Sequence, residues 1–328
     1  MSSQRVLVTG GSGFIGTNLG AALRGSGAAV LNLDPSAPFE RAALPGWLDV
    51  GVLDRDRLTD AFAWFAPTRV VHLAAETRTD ADMTVADYRV NTEGTANLLE
   101  VVARCPSVER VVIASSQFVC RPGHEPVDEF DVDPETVYGQ TKVVAENLTR
   151  LLGTGDATWT IIRPTTIWGP WDQRYRGSFY ALLRRGWYFH PAADPCIRSY
   201  GFVGNVVWQI QQILDAAAGD VSERVLYVGD RPYDIREYAD EFVRQMGGES
   251  ARTMPLALAR AGARVGDVLA RAGMRRFPIN SSRLRFMTTD YPVPIEETFK
   301  LLGEPPFALA DGVRITLEWL RSQYWSSA

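Results

Sequence analysis

Thr9-Gly10-Gly11-Ser12-Gly13-Phe14-Ile15-Gly16 follows directly on the apolar run Val6-Leu7-Val8, and Phe14 to Arg24 then takes helical spacing. Glycines 10, 13 and 16 therefore sit between a strand and a helix. Glycine there permits a tight turn and lets the backbone approach a ligand closely. The helix start offers unpaired N–H groups and the positive end of its dipole to a phosphate. The spacing differs by one residue from the G-x-G-x-x-G of many dinucleotide sites. The next apolar run, Val30 to Leu33, ends in Asp34. An acid about twenty positions beyond the glycines accepts hydrogen bonds from a ribose 2′-hydroxyl and repels a 2′-phosphate. No Arg or Lys follows until Arg41, so NAD is favoured over NADP. Before Pro35, Asp34 could also simply open a turn.

Outward from this turn, strand-like and helix-like runs alternate. Val70-Val71-His72-Leu73, Val111-Val112-Ile113-Ala114 and Thr160-Ile161-Ile162 read as strands. Leu58–Phe65, Tyr88–Arg104 and Val137–Leu152 have helical spacing. Continuous apolar strands separated by helices predict a parallel sheet covered on both faces, with right-handed crossovers. The fold class is α/β: a Rossmann-type doubly wound parallel sheet with a smaller C-terminal α/β lobe. From about Gly169 the pattern loosens. Helices are expected near Ser178–Arg185, Val206–Ala218, Ile235–Met246, Leu256–Ala272 and Asp311–Tyr324, and short strands near Ser199–Val203 and Val225–Val228. Residues 1–168 are read as the dinucleotide-binding domain and 169–328 mainly as a substrate lobe, with some segments returning to the first domain.

The chain has 328 residues, enough for one large domain or two smaller ones. Apolar residues make up 46% and charged residues 22%, the balance of an ordinary globular protein. A net charge of −5 gives no reason to expect a nucleic-acid or membrane-surface partner. No apolar run reaches the length of a membrane span. Met1 to Arg5 leads into the first strand without an apolar leader. Cys105, Cys120 and Cys196 are odd in number and far apart, and His72, His124 and His190 are equally scattered. Neither a disulfide framework nor a zinc site is expected. The expectation is a reduced, cytoplasmic protein without metal.

Tyr138-Gly139-Gln140-Thr141-Lys142 opens a helix, and residues four apart share a face. An ammonium beside a phenol favours the phenolate, so the tyrosine can serve as general acid or base near neutral pH. With 11 tyrosines and only Lys142 and Lys300 as lysines, chance supplies about 0.07 Tyr-x-x-x-Lys pairs. Ser115-Ser116 follows the strand ending at Ala114, at the carboxyl edge where open α/β sheets bind ligands. A serine hydroxyl there can hydrogen-bond a reacting oxygen. The plainer readings are a surface helix pair and ordinary turn chemistry.

In this order the motifs resemble those of the extended short-chain dehydrogenases/reductases, especially the NAD-dependent nucleotide-sugar epimerase/dehydratase branch, over nearly the whole chain. Thr9–Gly16 is similar to the family's cofactor turn, and His72-Leu73-Ala74-Ala75 to the strand end beside the cofactor. Asn91-Thr92-Glu93-Gly94-Thr95 resembles the helix motif that supports the site. Ser115-Ser116-Gln117-Phe118-Val119-Cys120 resembles the catalytic Ser/Thr segment, with Ser116 in the catalytic place. Tyr138 and Lys142 match the family pair. Arg163–Pro170 is similar to the strand and loop that pass the nicotinamide and enter the sugar pocket. Arg198-Ser199-Tyr200-Gly201-Phe202-Val203 resembles the segment whose arginine binds the nucleotide diphosphate.

The resemblance implies roles. Tyr138 exchanges a proton with a sugar hydroxyl, Lys142 holds the nicotinamide ribose and lowers the tyrosine pKa, and Ser116 bonds the reacting oxygen. NAD takes a hydride from a ring carbon, usually C4, giving a ketosugar. The implied cofactor site is Gly10, Gly13, Phe14, Ile15, Gly16, Asp34, Leu53, Leu73, Ala74, Ala75, Asn91, Tyr138, Lys142 and Pro164. The implied substrate site is Thr77, Ser116, Gln117, Thr165, Trp168 and Arg198, with no metal. The partner is a nucleotide-diphosphate sugar, and a homodimer packing Tyr88–Arg104 and Val137–Leu152 is expected on the same ground.

Departures from the family pattern narrow the function. Gln117 and Phe118 stand where the 4,6-dehydratases carry Asp-Glu, and neither can do that proton work. Cys120 replaces the usual Tyr, Val50-Gly51 the usual Gly-Asp near the adenine, and Gly204-Asn205 the two acids after the arginine segment. Trp168, Trp171, Arg174, Tyr175, Arg176 and Trp187-Tyr188-Phe189-His190 could stack a base and grip a diphosphate, or could pack the lobe. The expected function is an NAD-dependent nucleotide-sugar epimerase acting through transient hydride transfer. The alternative is an NAD-dependent dehydrogenase or ketoreductase of the same substrate class. Further off stand a 4,6-dehydratase and a non-catalytic NAD-binding protein.

Overall fold

The computed structural model describes residues 4–80, 82–272 and 279–325. In the first half, strands β1 (Arg5–Thr9), β2 (Ala29–Leu33), β3 (Trp47–Leu48), β4 (Arg69–His72), β5 (Arg110–Ala114) and β6 (Thr158–Pro164) alternate with helices. These are α1 (Phe14–Gly25), α2 (Arg55–Phe65), α3 (Arg89–Ala103) and α4 (Val137–Leu152). The second half carries β7 (Thr166–Trp168), β8 (Phe189–Ala192), β9 (Ile197–Arg198), β10 (Tyr200–Phe202), β11 (Arg224–Val228), β12 (Tyr233–Asp234) and β13 (Arg252–Pro255). Its helices are α5 (Gln173–Arg176), α6 (Phe179–Arg184), α7 (Val203–Asp215), α8 (Ala218–Val221), α9 (Ile235–Gln245), α10 (Leu256–Arg271), α11 (Ser281–Phe286), α12 (Glu296–Leu302) and α13 (Leu309–Leu320).

Seven strands, in the order β11-β6-β5-β4-β1-β2-β3, form one parallel sheet. The chain winds outward from β1 to β3, then crosses back and continues on the other side through β4, β5 and β6. The winding reverses between β1 and β4, and sheets of this kind bind ligands outside the carboxyl ends at that point. Register levels those ends: Thr9 lies opposite Leu33 on one side and His72 on the other. Gly10, Asp34 and Leu73 therefore leave the sheet side by side.

Alternation within β1 shows why both faces are covered. Val6 and Val8 join Leu19, Val206, Ile210, Val313 and Leu317 of α1, α7 and α13. Leu7 points the other way, into the layer of Leu58, Phe62, Leu98 and Val102 from α2 and α3. β11 brings residues of the second half into the sheet, with Val228 opposite Pro164.

The remaining strands pair in twos, β7 with β10, β9 with β12 and β8 with β13. They lie outside the seven-stranded sheet, and residues of the second half reach its carboxyl edge. There Tyr291 Oη donates to Gln117 O at 2.6 Å and Arg285 pairs with Glu135 at 2.9 Å. Among the described residues no helix is long and apolar enough to cross a membrane, and no group of His, Cys, Asp and Glu is placed to hold a metal ion.

Candidate active site

Gly10 has φ of +71°, and a Cβ on it would lie 2.5 Å from Ala74 N. A Cβ on Gly16 would lie 2.5 Å from Gly10 O. These two glycines let β1, α1 and the Leu73-Ala74 exit of β4 close on one another. At Gly13 a Cβ would meet Gly10 O at 3.2 Å, a tight contact. Gly13 is also the N-cap of α1 and offers no side-chain cap, which leaves the amides of the first turn, at Phe14 and Ile15, without an intrahelical partner. The Asp34 carboxylate accepts the amides of Ser12 (3.1 Å) and Ser36 (2.8 Å). Burial raises its pKa while those amides oppose the rise. Two lone-pair sites remain for a diol. Leu53 stays 37% exposed beyond Val52, whose carbonyl is taken by Asn97. A helix start without a side-chain cap, at a glycine turn and with an acid at the neighbouring strand end, fits a dinucleotide whose ribose hydroxyls are free.

β5 delivers Ser116 to the same edge. α4 is capped by Thr136, whose Oγ1 accepts Gly139 N at 3.0 Å, and this sets Tyr138 in its first turn. Ser116, Tyr138 and Lys142 are all buried, and Ser116 stands near enough to the Tyr138 phenol to lower its pKa. Burial pushes the phenol up to about 12, against Ser116 and Arg174, which pull it down. This corrects the expected lowering by Lys142. Lys142 Nζ donates to Ala114 O at 2.8 Å and stands 6.0 Å from the centre of the Tyr138 ring. Burial lowers the Lys142 pKa to about 8, with Glu146 opposing. Desolvation outweighs the cation because the ammonium is one helical turn away and anchored on a strand carbonyl.

Two features escaped the sequence reading. Glu146 accepts Ser115 Oγ at 2.6 Å and two guanidinium nitrogens of Arg163 at 2.9 and 2.8 Å. Arg163 also donates to Tyr227 Oη and Glu129 O. This buried bidentate pair ties α4 to the ends of β5, β6 and β11. Its signal in the sequence is spacing, since Glu146 lies one turn beyond Lys142 on the same helix face. The second feature is Asp172, fully enclosed, which pairs with Arg174 at 3.1 Å. Arg174 also donates to Ile167 O at 2.8 Å and lies over the Phe14 ring at 5.8 Å. It places a cation between the glycine turn and Tyr138, and that placement depends on tertiary packing.

The other expected residues divide. Leu73, Ala74 and Ala75 leave β4 half-buried beside the turn, and Pro164 is buried at the end of β6. Asn91 is a strut rather than a cofactor ligand. Its Oδ1 accepts Glu76 N at 2.8 Å, and its Nδ2 donates both hydrogens, to Glu76 O and Thr141 Oγ1 at 3.0 and 3.1 Å, in a fully buried position. Trp168 is a core residue rather than a substrate contact: it is 1% exposed, with the rings of Phe202, Tyr238 and Phe242 centred 5.2, 4.9 and 5.9 Å away. The Thr165 hydroxyl packs against the backbone of Gly229 and Gly201. Thr77 is exposed beyond the β4 exit. Gln117 is buried, its Nε2 donating to Thr166 Oγ1 at 2.8 Å while its Oε1 has no partner among the described residues. Arg198 is buried, stacked 3.8 Å from the centre of the Phe286 ring, and donates to Phe286 O and Thr289 O at 3.1 and 2.7 Å. Its Nε has no partner, and no carboxylate among the described residues neutralises it.

A family model described as the NAD dependent epimerase/dehydratase family matches residues 6–188. The N-acetyl-alpha-D-glucosaminyl-diphospho-ditrans,octacis-undecaprenol 4-epimerase of Escherichia coli O157:H7 is 28% identical over 327 residues, 97% of this chain and 95% of its own. The 3-diazoavenalumate denitrifying reductase of a Streptomyces species is 29% identical over 78% of this chain and 86% of its own. The fold superposes on the UDP-glucose 4-epimerase of Thermus thermophilus, solved in complex with NAD, with a TM-score of 0.71. That match has 23% identity and covers 98% of this chain and 100% of the other.

Proposed function

The chain belongs to the NAD-dependent epimerase/dehydratase family, and on that premise we propose that it inverts a ring hydroxyl of a sugar carried on a diphosphate, with NAD retained through the cycle. The observation that carries this reading is the meeting of Ser116, Tyr138 and Lys142 with Gly10, Asp34 and Leu73 at one sheet edge. The first-turn amides of α1 and Asp34 would hold the dinucleotide phosphates and the adenosine ribose, and Lys142 the second ribose. When bound, NAD supplies an acceptor that takes a hydride from the sugar carbon and gives it back.

Tyr138 takes the proton from the sugar hydroxyl as that carbon becomes a ketone, and returns it when the carbon is reduced from the other side. Ser116 hydrogen-bonds the reacting oxygen in both states. Arg174 and Ser116 favour the phenolate that the first step needs. Buried Arg198, without a carboxylate, has the charge and planar donors for the substrate diphosphate. Gln117 and Phe118 leave no acid–base pair for dehydration. The Escherichia coli relative is named for inversion at C4 of a diphosphate-linked sugar, which supports C4 and this substrate class.

Incubation with UDP-glucose and UDP-N-acetylglucosamine in deuterated water tests the reading. The expected product is the C4 epimer with hydrogen at C4 and no accumulation of NADH. Deuterium entering C4 would overturn the hydride route. The Streptomyces relative is named a reductase, and this supports a second reading, net reduction of the substrate, which would instead consume one NADH per product. The expected homodimer through α3 and α4 is supported by Val144, Leu151 and Leu152, which stand exposed on α4. Sedimentation velocity tests it.

A further inference from the structure

The arginines of this chain are unevenly placed. Between Leu256 and Thr288 the described residues hold Arg260, Arg264, Arg271, Arg283 and Arg285 against one acid, Asp267, in a chain of net charge −5. Asp267 is itself engaged by the Ser281 amide at 3.0 Å and by the Ser281 hydroxyl. Arg260 and Arg264 have no carboxylate partner among the described residues.

Among the described residues, α10 is held from one side only. Ala259 and Ala263 pack on Leu284 and Met254. On the opposite side Leu258, Val265 and Val268 are 60%, 52% and 61% exposed. Positions 258, 261, 265 and 268 form one helical stripe, and Arg264 and Arg271 run along its border. β13 runs directly into α10 and pairs with β8, where Arg252 lies opposite Phe189. Trp187 and Phe189 are exposed there, beside exposed Arg185 and Arg252.

An aliphatic stripe, an arginine border and an aromatic end meet the three layers of one kind of surface. Acyl chains take the aliphatic residues, anionic headgroups the guanidinium groups, and the headgroup boundary the indole. Nucleic acid would use the arginines and leave the stripe in water. We propose that the outer face of α10, with the β8–β13 edge, docks this protein on bilayers rich in anionic phospholipid. This departs from the expectation drawn from net charge, because a sum over the chain hides a segregated face. The face connects to the candidate diphosphate site. α11, packed on α10, places Phe286 under Arg198, and its Arg285 pairs with Glu135 beside the cap of α4.

Vesicle sedimentation with the full chain tests the proposal, and it needs no turnover, so it stands or falls apart from the epimerase reading. Vesicles of phosphatidylcholine mixed with phosphatidylglycerol are expected to carry the protein down, less so as salt rises, and phosphatidylcholine alone to leave it in solution. Arg260→Glu with Arg264→Glu should lower partition about tenfold or more. Leu258→Ser with Val265→Ser and Val268→Ser should do the same. Both variants should keep wild-type circular dichroism and NAD content. Equal binding to both vesicles, binding to neither, or unchanged binding by the variants overturns the proposal. So does tighter binding to duplex DNA than to the anionic vesicles. Conversion of a dimer to monomer by the serine variant would make the face a subunit contact and also overturn it.

Discussion

Around Tyr138, burial and the neighbouring polar groups act in opposite directions. Desolvation holds the phenol protonated, while Ser116 and Arg174 make the anion reachable. Tyr138→Phe keeps the ring and removes only the hydroxyl. Activity is expected to fall by about 10²- to 10⁴-fold, the usual worth of a general acid–base group, with NAD content by mass spectrometry unchanged. Full activity in that variant would remove Tyr138 from the chemistry. Gly10 is constrained differently. Gly10→Ala meets both a positive φ and the Ala74 backbone, so β4 and the turn must part. The expected result is loss of retained NAD and a lower melting temperature. A variant that keeps its NAD would show that the close approach is dispensable. Residues such as Gly10, Asp34, Ser116, Tyr138 and Lys142 were legible because each belongs to a local strand–turn–helix pattern. Asn91 and Trp168 were not, since nothing near them in sequence shows that their side chains are engaged by protein partners.

At the scale of elements, α4 is positioned as much by its buried acid as by its packing. Glu146→Ala leaves the Arg163 guanidinium buried and unpaired and frees Ser115. The expected cost is about 3–5 kcal/mol of stability, measured by urea unfolding. Glu146→Leu combined with Arg163→Met replaces both charges by apolar groups and should recover most of that loss. A single variant no worse than the pair would mean the ion pair does not brace the helix. The strands of the main sheet other than the two-residue β3 were readable because central parallel strands are continuous apolar runs. β8 and β13 are short and partly exposed, and α11 and α12 span only six and seven residues, too few to show a period.

For the whole molecule, two desolvated groups give opposing pH dependence. Burial raises Asp230 from 3.8 to about 7, so its contribution to stability is lost as pH rises from about 4 to 7. Burial lowers His72 from 6.5 to about 3, so its contribution is lost as pH falls across about 6.5 to 3. Between pH 4 and 6.5 the two slopes, each at most about 1.4 kcal/mol per pH unit, offset one another. Relative to wild type, Asp230→Asn should gain stability as pH rises through this window, and His72→Gln should lose it. Parallel urea titrations at several pH values check both. Two variants with the same pH slope as wild type would show that neither group titrates differently on folding.

The alternation of long helices with the apolar strands of the main sheet, the sheet class, the glycine turn and the Tyr-Lys pair were determined by the sequence alone. Each rests on periodicity or spacing within a single βα unit, where a few consecutive residues contain all the interacting groups. The tertiary structure decided the rest. Arg163 finds Glu146 across 17 positions, and Tyr291 reaches Gln117 across 174. No window along the chain holds such pairs together. Desolvation and charge segregation are properties of packed neighbours. For that reason the protonation of Tyr138, the unneutralised Arg198 and the basic face of α10 exist only in the folded molecule.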